Sequence, residues 1–530
     1  MIGNFIRNFT LYDGLFWSFV SLLCLLVGLD LRIEYRARRL GAIAPRARAR
    51  LPIGFDFIYR AMKFARQGKE LEFWYSMLNE ASSAFPVLVT TFEIKLKSYT
   101  RNVLTLEPEN IKALLTTQFG DYGKGKEFHR EWKDFLGDSI FATDGELWSR
   151  SRQLIRPMFN KERYVDTEIF EKHIAKLIPM LGGSSNADGN DPVDVGPFFY
   201  RYTLDAATDY LLGHSVDSLD DPKTEFAEVF RSVMQRQSQL FRAGPIRKFM
   251  SEGEFRRNLK RLDQLIEPFI HQALSLSPEE LDKKLSSKDT FIHALARFTR
   301  DPVVVRDQLV AILLAGRDTT ATTLSLCLFE LSRHPDVVRK LREEIALTCS
   351  SRKPTYADLK DMKYLNAVLN ETMRLYPVVP FNVRHALVDT TLPTGGGPDR
   401  TSPIGVPAGT RIIYSTMLMQ RREDLYERPP SKEDEKTGNH QYFNPTLFLP
   451  ERWTSGWQPK PWHFIPFNGG PRICLGQQFA TIEMGYTVVR ILQHYSEIIG
   501  VGCPPSGTDP KLMFDVTLSP GQELNCLFRR

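Results

Sequence analysis

Phe467-Asn-Gly-Gly-Pro-Arg-Ile-Cys474-Leu-Gly476 is the stretch on which the reading of this chain turns. One thiol is surrounded by an aromatic residue, a pair of glycines, an arginine and a further glycine. Glycines let a backbone approach a flat ligand closely and turn its N–H groups toward the sulfur. Such N–H groups, with Arg472 nearby, favour the thiolate and tune a metal held by it. The pattern reads as a loop that presents a thiolate to an iron. The plainer reading of any single cysteine is a small buried hydrophobe in a turn. The ten-residue pattern argues against that here.

The segment resembles the haem-binding loop of the cytochromes P450, Phe-x-x-Gly-x-Arg-x-Cys-x-Gly, at every fixed position. The resemblance implies haem b ligated by Cys474, with Phe467, Arg472 and Gly476 around the ligand. It also implies a mainly α fold with small β-sheets: a single haem-thiolate P450 domain preceded by an N-terminal membrane-anchor helix.

Other segments fall in the family's order. The apolar run Val303–Leu331 contains Ala315-Gly316-Arg317-Asp318-Thr319-Thr320, in which an acid, an alcohol and a glycine interrupt a greasy helix. Glycine weakens the helix there by about 1 kcal/mol relative to alanine, and a threonine hydroxyl can bond back one turn and bend it. By itself this reads more readily as a surface Asp-Thr pair on a helix. By the resemblance, Gly316, Asp318 and Thr319 form a catalytic notch over the haem, with Asp318 relaying protons from water and Thr319 delivering them. Glu371 and Arg374 share a helix face at i, i+3, and Pro450-Glu-Arg452-Trp453 follows. The resemblance makes Glu371, Arg374 and Arg452 a structural triad that positions the Cys loop, with Trp453 where phenylalanine is commoner. Trp148 and Arg152, at i, i+4, match the family's Trp-x-x-x-Arg. Because an Arg fork suits a carboxylate, they are read with Arg384 and Arg472 as ligands of the haem propionates. Each of these arginines alone reads equally as a solvated surface cation.

Composition agrees with a globular chain. Of 530 residues, 42% are hydrophobic and 25% charged, which suits a sizeable core. Cys24, Cys327, Cys349, Cys474, Cys503 and Cys526 are dispersed with no CxxC, which argues for a reducing compartment and against a zinc or disulfide framework. Net charge is +6, and a short segment from Leu31 to Arg50, with seven arginines and one glutamate, accounts for all of it. No basic stripe with interleaved aromatics marks a nucleic-acid face.

That basic segment follows the uncharged run Gly14–Leu29. Sixteen residues span about 24 Å as helix, short of the roughly 20 residues of an ordinary span. Trp17 suits an interface, and the arginines favour a cytoplasmic C-terminal side. A cleaved signal peptide fits poorly, because no small-x-small site follows. A buried core helix is the remaining alternative. The chain is therefore divided into a signal anchor at 1–31, a basic, proline-containing linker at 32–54 and a catalytic domain at 55–530. The expected location is the endoplasmic reticulum membrane, single-pass, with the catalytic domain cytosolic.

Helical periodicity dominates from about Asn110 to Arg374, including Phe226–Phe249 and Glu254–Leu274. Strand-like pieces are Val87–Phe92, Thr410–Ser415 and Met513–Leu518. Gly182–Asp191 and Glu427–His440 read as exposed loops, and Gly244-Pro245 as a turn.

Within the family, the chain is most similar to the fungal alkane- and fatty-acid-hydroxylating branch. Asn468–Ala480, Ala315–Ala321 and Asp389-Thr-Thr-Leu-Pro-Thr-Gly395-Gly-Gly-Pro-Asp399 carry that similarity. Glu427–His440 departs from it as an insertion, and so does Phe448-Leu-Pro450. The resemblance implies a monooxygenase inserting one atom of O2 into an alkyl C–H bond, by terminal or near-terminal hydroxylation of an n-alkane or fatty acid. Electrons come from NADPH through a separate reductase, docked on a basic face that includes Lys460, with cytochrome b5 as an optional further donor. The substrate is lipophilic and drawn from the membrane. Two alternatives stay open. One is the same chemistry on an acyl, polyketide or peptide intermediate of fungal secondary metabolism. The other is a haem-thiolate peroxide isomerase or haem sensor, which needs no acid–alcohol notch.

Overall fold

The computed structural model describes residues 11–47, 55–83, 85, 88–97, 100–159, 165–182, 191–243, 247, 249–287, 290–426 and 444–530. Most of the Gly182–Asp191 and Glu427–His440 loops, the Gly244-Pro245 turn and the second half of the proline-containing linker lie outside them. The chain is mainly helical with small sheets and falls into two compact units, residues 1–123 with 381–415, and residues 124–380 with 416–530.

The first unit begins with one continuous helix, α1 (Leu11–Leu40). Its segment Gly14–Leu40 is long and apolar enough to cross a membrane, and Leu15, Phe16, Trp17, Phe19, Leu22, Leu23 and Leu25 are all exposed along it. The helix does not stop where the charge begins. Arg32, Arg36, Arg38 and Arg39 lie on its last turns, so the stretch expected to open a linker is helical as far as Leu40. The i, i+4 pair Glu34–Arg38, at 2.7 Å, supports that extension.

The sheet of this unit is built from β1 (Thr91–Lys97), β2 (Thr100–Thr105), β3 (Tyr122–Gly123), β4 (Phe381–Ala386) and β7 (Arg411–Ser415), in the order β1-β2-β7-β4-β3. β2 and β7 are parallel and the other pairs antiparallel. Phe92 and Leu104 are buried on one face of the sheet and Val103, Ile412 and Tyr414 on the other. The stretch Asp389–Asp399 belongs to a separate hairpin of β5 (Thr390–Gly396) and β6 (Ser402–Val406).

The end of α1 lies directly on that hairpin. A Cβ on Gly405 would stand 2.0 Å from the Ala37 carbonyl oxygen, and one on Gly41 would stand 2.8 Å from the Gly405 nitrogen. Ala42 N donates to Pro403 O at 2.9 Å, and Gly405 N donates back to Ala42 O at 3.0 Å. Arg36 pairs with Asp389, Arg46 joins Glu34 to Glu93, and Arg101 donates to both Glu93 and Gly405 O. Glycine is required at 405 because backbone meets backbone.

The second unit holds α2 (Gly145–Ile155), α3 (Val195–Leu212), α4 (Glu225–Ala243), α5 (Pro302–Leu331), α6 (Lys363–Leu375) and α7 (Gln477–His494), with further helices around them. α5 starts at a proline in the first turn, capped by Asp301, which accepts from Val303 N and Val304 N. Apolar residues lie on every side of it, and from Val305 onward it is largely buried. α3 packs along it, and Phe135, Leu204, Phe230, Leu262, Leu295, Val305 and Leu309 share one core. The Met513–Leu518 piece is the turn region of a hairpin between Leu512–Phe514 and Leu518–Pro520. The pair Glu497–Gly500 and Asn525–Arg529, with Val193–Asp194, forms a three-stranded sheet.

Candidate functional site

The Cys474 loop is a chain of tight turns. Asn468 N donates to Ile465 O, Ile473 N to Gly470 O and Cys474 N to Phe467 O, each at 3.0 Å. Asn468 and Gly470 hold left-handed backbone, φ 65° and 66°, a conformation that asparagine and glycine adopt with least strain. Gly469 admits no side chain, since a Cβ would stand 2.6 Å from the Trp462 ring.

Cys474 is exposed, whereas Cys327, Cys349 and Cys526 are buried. Protein nevertheless surrounds it closely. Burial pushes its pKa up, while the Gly476 N–H and the Arg152 guanidinium favour the thiolate. The loop therefore presents an exposed cysteine that protein lines closely.

α5 shows the same kind of opening. Between Val305 and Leu331 nearly every residue is buried, yet Ile312, Ala315, Gly316 and Thr319 are only half-buried. Their spacing, i, i+3, i+4 and i+7, is one helix face. Leu475, Phe479, Trp148 and Phe159 are partly buried against the same core as Ile312. Thr319 Oγ1 donates to Ala315 O at 2.6 Å. Asp318 is buried and turned to Arg317, whose Nη1 donates to Oδ1 at 2.7 Å. Burial raises the Asp318 pKa, and Arg317 opposes the rise.

Trp148, Arg152 and Arg472 come together. The Trp148 ring lies 5.9 Å from the Arg152 guanidinium and 4.7 Å from that of Arg472. Arg152 Nη1 donates to Ile473 O at 3.2 Å, which places it beside the cysteine. Arg472 Nη2 donates to Thr143 O at 2.8 Å and to Asp144 Oδ1 at 2.6 Å. Arg384 lies in the first unit, on β4, buried, with Nη1 donating to Val383 O at 2.9 Å.

The triad is completely buried. Glu371 receives Arg374 Nε at 2.8 Å and Nη2 at 2.9 Å, Leu449 N at 3.0 Å and Trp453 Nε1 at 2.9 Å. Arg452 stands 3.6 Å away as an ion pair. Burial works to raise the Glu371 pKa, but Arg374 and these donors hold it below the usual carboxylate range. Arg374 also donates to Gln420 O, Pro445 O and Leu447 O, so one side chain pins the strand of chain that leads into the Cys loop.

Four residues were not legible as parts of this arrangement. Asp144 receives Lys124 N at 2.8 Å and Gly125 N at 2.7 Å as well as Arg472; its only signal was an acid just before α2. The Trp453 N–H is a ligand of Glu371 rather than a neutral exchange for phenylalanine. Arg317 was visible only as a cation beside Asp318. Glu483 on α7 is buried, and burial raises its pKa to about 8 against the opposing Thr320 hydroxyl.

These residues fit a haem. Cys474 is exposed, the half-buried face of α5 carries the small residues Ala315 and Gly316, and the Arg152 guanidinium stands beside the cysteine.

The family model described as Cytochrome P450 matches residues 76–431 and 437–520. Cytochrome P450 monooxygenase pvhE of Talaromyces variabilis is 45% identical, over 95% of this chain and 94% of that protein. Cytochrome P450 52A13 of Debaryomyces hansenii is 38% identical, over 83% of each. Cytochrome P450 monooxygenase himC of Aspergillus japonicus is 37% identical, over 84% of this chain and 76% of that protein.

Proposed function

This chain belongs to the cytochrome P450 family and is a monooxygenase; from that premise we propose that it hydroxylates a linear alkyl chain, an n-alkane or fatty acid, at or near its terminal carbon. Haem, which the family implies, supplies the activation of dioxygen when bound. The chain's own residues do the rest. Cys474 holds the group through its sulfur, with the Gly476 N–H and Arg152 favouring the thiolate. Trp148, Arg152 and Arg472 receive the propionates. Glu371, Arg374 and Arg452 keep the loop in register. Thr319 and Asp318 hold and pass protons at the open face of α5, where Gly316 leaves room.

The observation that carries the substrate reading is the half-buried stripe of α5. Ile312 and Ala315 offer a narrow apolar contact, with Gly316 adding no side chain and Thr319 as the single hydroxyl. The exposed apolar surface of α1 suits a protein that meets its substrate in a bilayer. The sequence similarity of Asn468–Ala480 and Ala315–Ala321 to alkane and fatty-acid hydroxylases supports the same reading. Electrons arrive from NADPH through a separate reductase, and the chain sits in the endoplasmic reticulum membrane, anchored within residues 1–31, with its catalytic domain, 55–530, cytosolic.

A second reading, the same chemistry on an acyl, polyketide or peptide chain, is favoured by one observation: the relative at 45% identity bears a name outside the 52A series, whose member 52A13 is 38% identical.

Microsomes holding this chain, a fungal reductase and NADPH test the proposal with a medium- to long-chain alkane and fatty acid. Terminal alcohol or diacid is the expected product by mass spectrometry. A normal reduced carbonyl spectrum without product would refute the simple-lipid substrate and favour the second reading.

A further inference from the structure

Asp318 and Thr319 are adjacent but not aimed at each other. Thr319 donates back to Ala315 O, while Asp318 accepts from Arg317. Residues at i and i+1 of a helix project in different directions, so the Arg317–Asp318 contact is not a product of helix geometry. Its surroundings impose it. The Arg317 guanidinium lies 5.1 Å from the Tyr200 ring of α3 and 5.6 Å from the Phe230 ring of α4, within reach of the cation–π attraction to both. Tyr200 is itself fixed to α5, its hydroxyl 3.0 Å from Thr322 Oγ1. Thr203, one turn along α3, donates to the Arg317 carbonyl at 2.9 Å.

Both charged side chains are about nine-tenths buried, at 11% and 10% exposed. Arg317 Nε has no hydrogen-bond partner. A buried donor left unmade is a cost to stability, so the arginine is poorly explained as a stabilising group. Its position is better explained by what it does to its neighbour.

Resting on the reading of Asp318 and Thr319 as the proton path, we propose that Arg317 is the positioning residue of that path: clamped between Tyr200 and Phe230, it holds the Asp318 carboxyl through its guanidinium and sets its direction. Few other charges bear on the acid. Tyr200 on α3 is neutral, its phenol pushed up to about 12 chiefly by burial. Asp515, in the Leu512–Pro520 hairpin, is paired with Arg242 of α4 at 2.8 Å. Glu483 of α7 is bonded to Thr320, two residues further along α5. Arg317 is the cation in contact with Asp318. Without it, nothing opposes the upward push of burial on the acid. Because Phe230 belongs to α4, a displacement of that helix loosens the clamp, so the direction of Asp318 is tied to the packing of α4 on α5.

The test uses the haem-loaded, full-length protein and four variants: Arg317→Gln, Arg317→Lys, Phe230→Leu and Asp318→Asn. Infrared spectroscopy reads protonated carboxyls, and product formed per NADPH is followed against pH. Arg317→Gln is expected to show a carboxyl band that persists to higher pH than in the wild type and that disappears when Asp318→Asn is added. Its coupling falls roughly tenfold or more, and its pH profile moves up by about one to three pH units. Arg317→Lys restores part of the coupling. Phe230→Leu, which leaves every charge in place, moves the profile the same way by less, and it decides the matter should Arg317→Gln not fold. No new band and no displaced profile in these variants would overturn the role of Arg317. If Asp318→Asn itself left coupling unchanged, the underlying proton path would fail, a result distinct from the first.

Discussion

Replacing Trp453 with phenylalanine looks neutral from the sequence, since phenylalanine is the commoner residue in this motif. The structure predicts otherwise. Trp453 Nε1 donates at 2.9 Å to Glu371 Oε2, and Glu371 is fully buried. A hydrogen bond to a charged group contributes about 1.5–3 kcal/mol net. The ring packing largely survives, because Phe464 and Trp457 lie 4.7 Å and 5.7 Å from the Trp453 ring and a phenyl group meets the same neighbours. The Glu371 carboxylate keeps three other donors, so the loss is put at about 2 kcal/mol. At 2–4 °C per kcal/mol for chains of up to about 250 residues, and less for a longer one, Trp453→Phe should lower the unfolding midpoint of the haem-loaded protein by about 4 °C or somewhat less. The sharper assay is a double-mutant cycle with Glu371→Gln. Removing the charge should shrink the effect of Trp453→Phe, giving a coupling of about 1–2 kcal/mol. Additive effects of the two substitutions, or a midpoint unchanged by Trp453→Phe, would refute the assignment of this hydrogen bond.

Gly405→Val places a side chain against the Ala37 carbonyl, where backbone cannot yield, so α1 should lift from the hairpin. Tryptic cleavage between Arg36 and Arg46 should accelerate about tenfold while the reduced carbonyl spectrum stays normal. Thr319→Ala should keep NADPH oxidation but lower product per NADPH by roughly tenfold or more, measured as peroxide released against product. Asp144→Asn should weaken the hold on Arg472 and hasten haem loss to apomyoglobin severalfold. Glu483, raised by burial to about 8, binds a proton in the folded chain that the unfolded chain releases above about pH 4.5. Stability should therefore fall as pH rises from about 5 to 8, and Glu483→Gln should flatten that slope in thermal unfolding.

What was legible in the sequence was local in character. The Cys474 loop, the Glu371–Arg374 spacing and the Trp148–Arg152 spacing each lie within about ten residues, where turn chemistry and helix periodicity act directly. α5 was readable because a helix buried all round has no polar face to confuse its bounds. The hairpin of β5 and β6 was not, because Gly395, Gly396 and Pro393 mask the alternation of a strand. The reach of α1 to Leu40 was missed for a related reason: the run of arginines suggested a solvated linker, yet Arg36 pairs with Asp389, Arg38 with Glu34 and Arg46 with Glu34 and Glu93, partners distributed over more than three hundred residues of chain. Trp453, Asp144 and Arg317 were hidden in the same way. Their partners are set by packing between distant helices, and residue type alone does not disclose which N–H or guanidinium ends beside which carboxylate.

The central claim is that Cys474 would hold the haem through its thiolate, and the reduced carbonyl spectrum tests it most directly. The wild-type chain should give the red-shifted band of a thiolate-ligated haem. Cys474→His should either lose haem or give the band of an imidazole-ligated one, with the far-ultraviolet helix signal unchanged. A thiolate-type spectrum persisting in Cys474→His would contradict the account, and the ligand would then have to be sought among the other five cysteines.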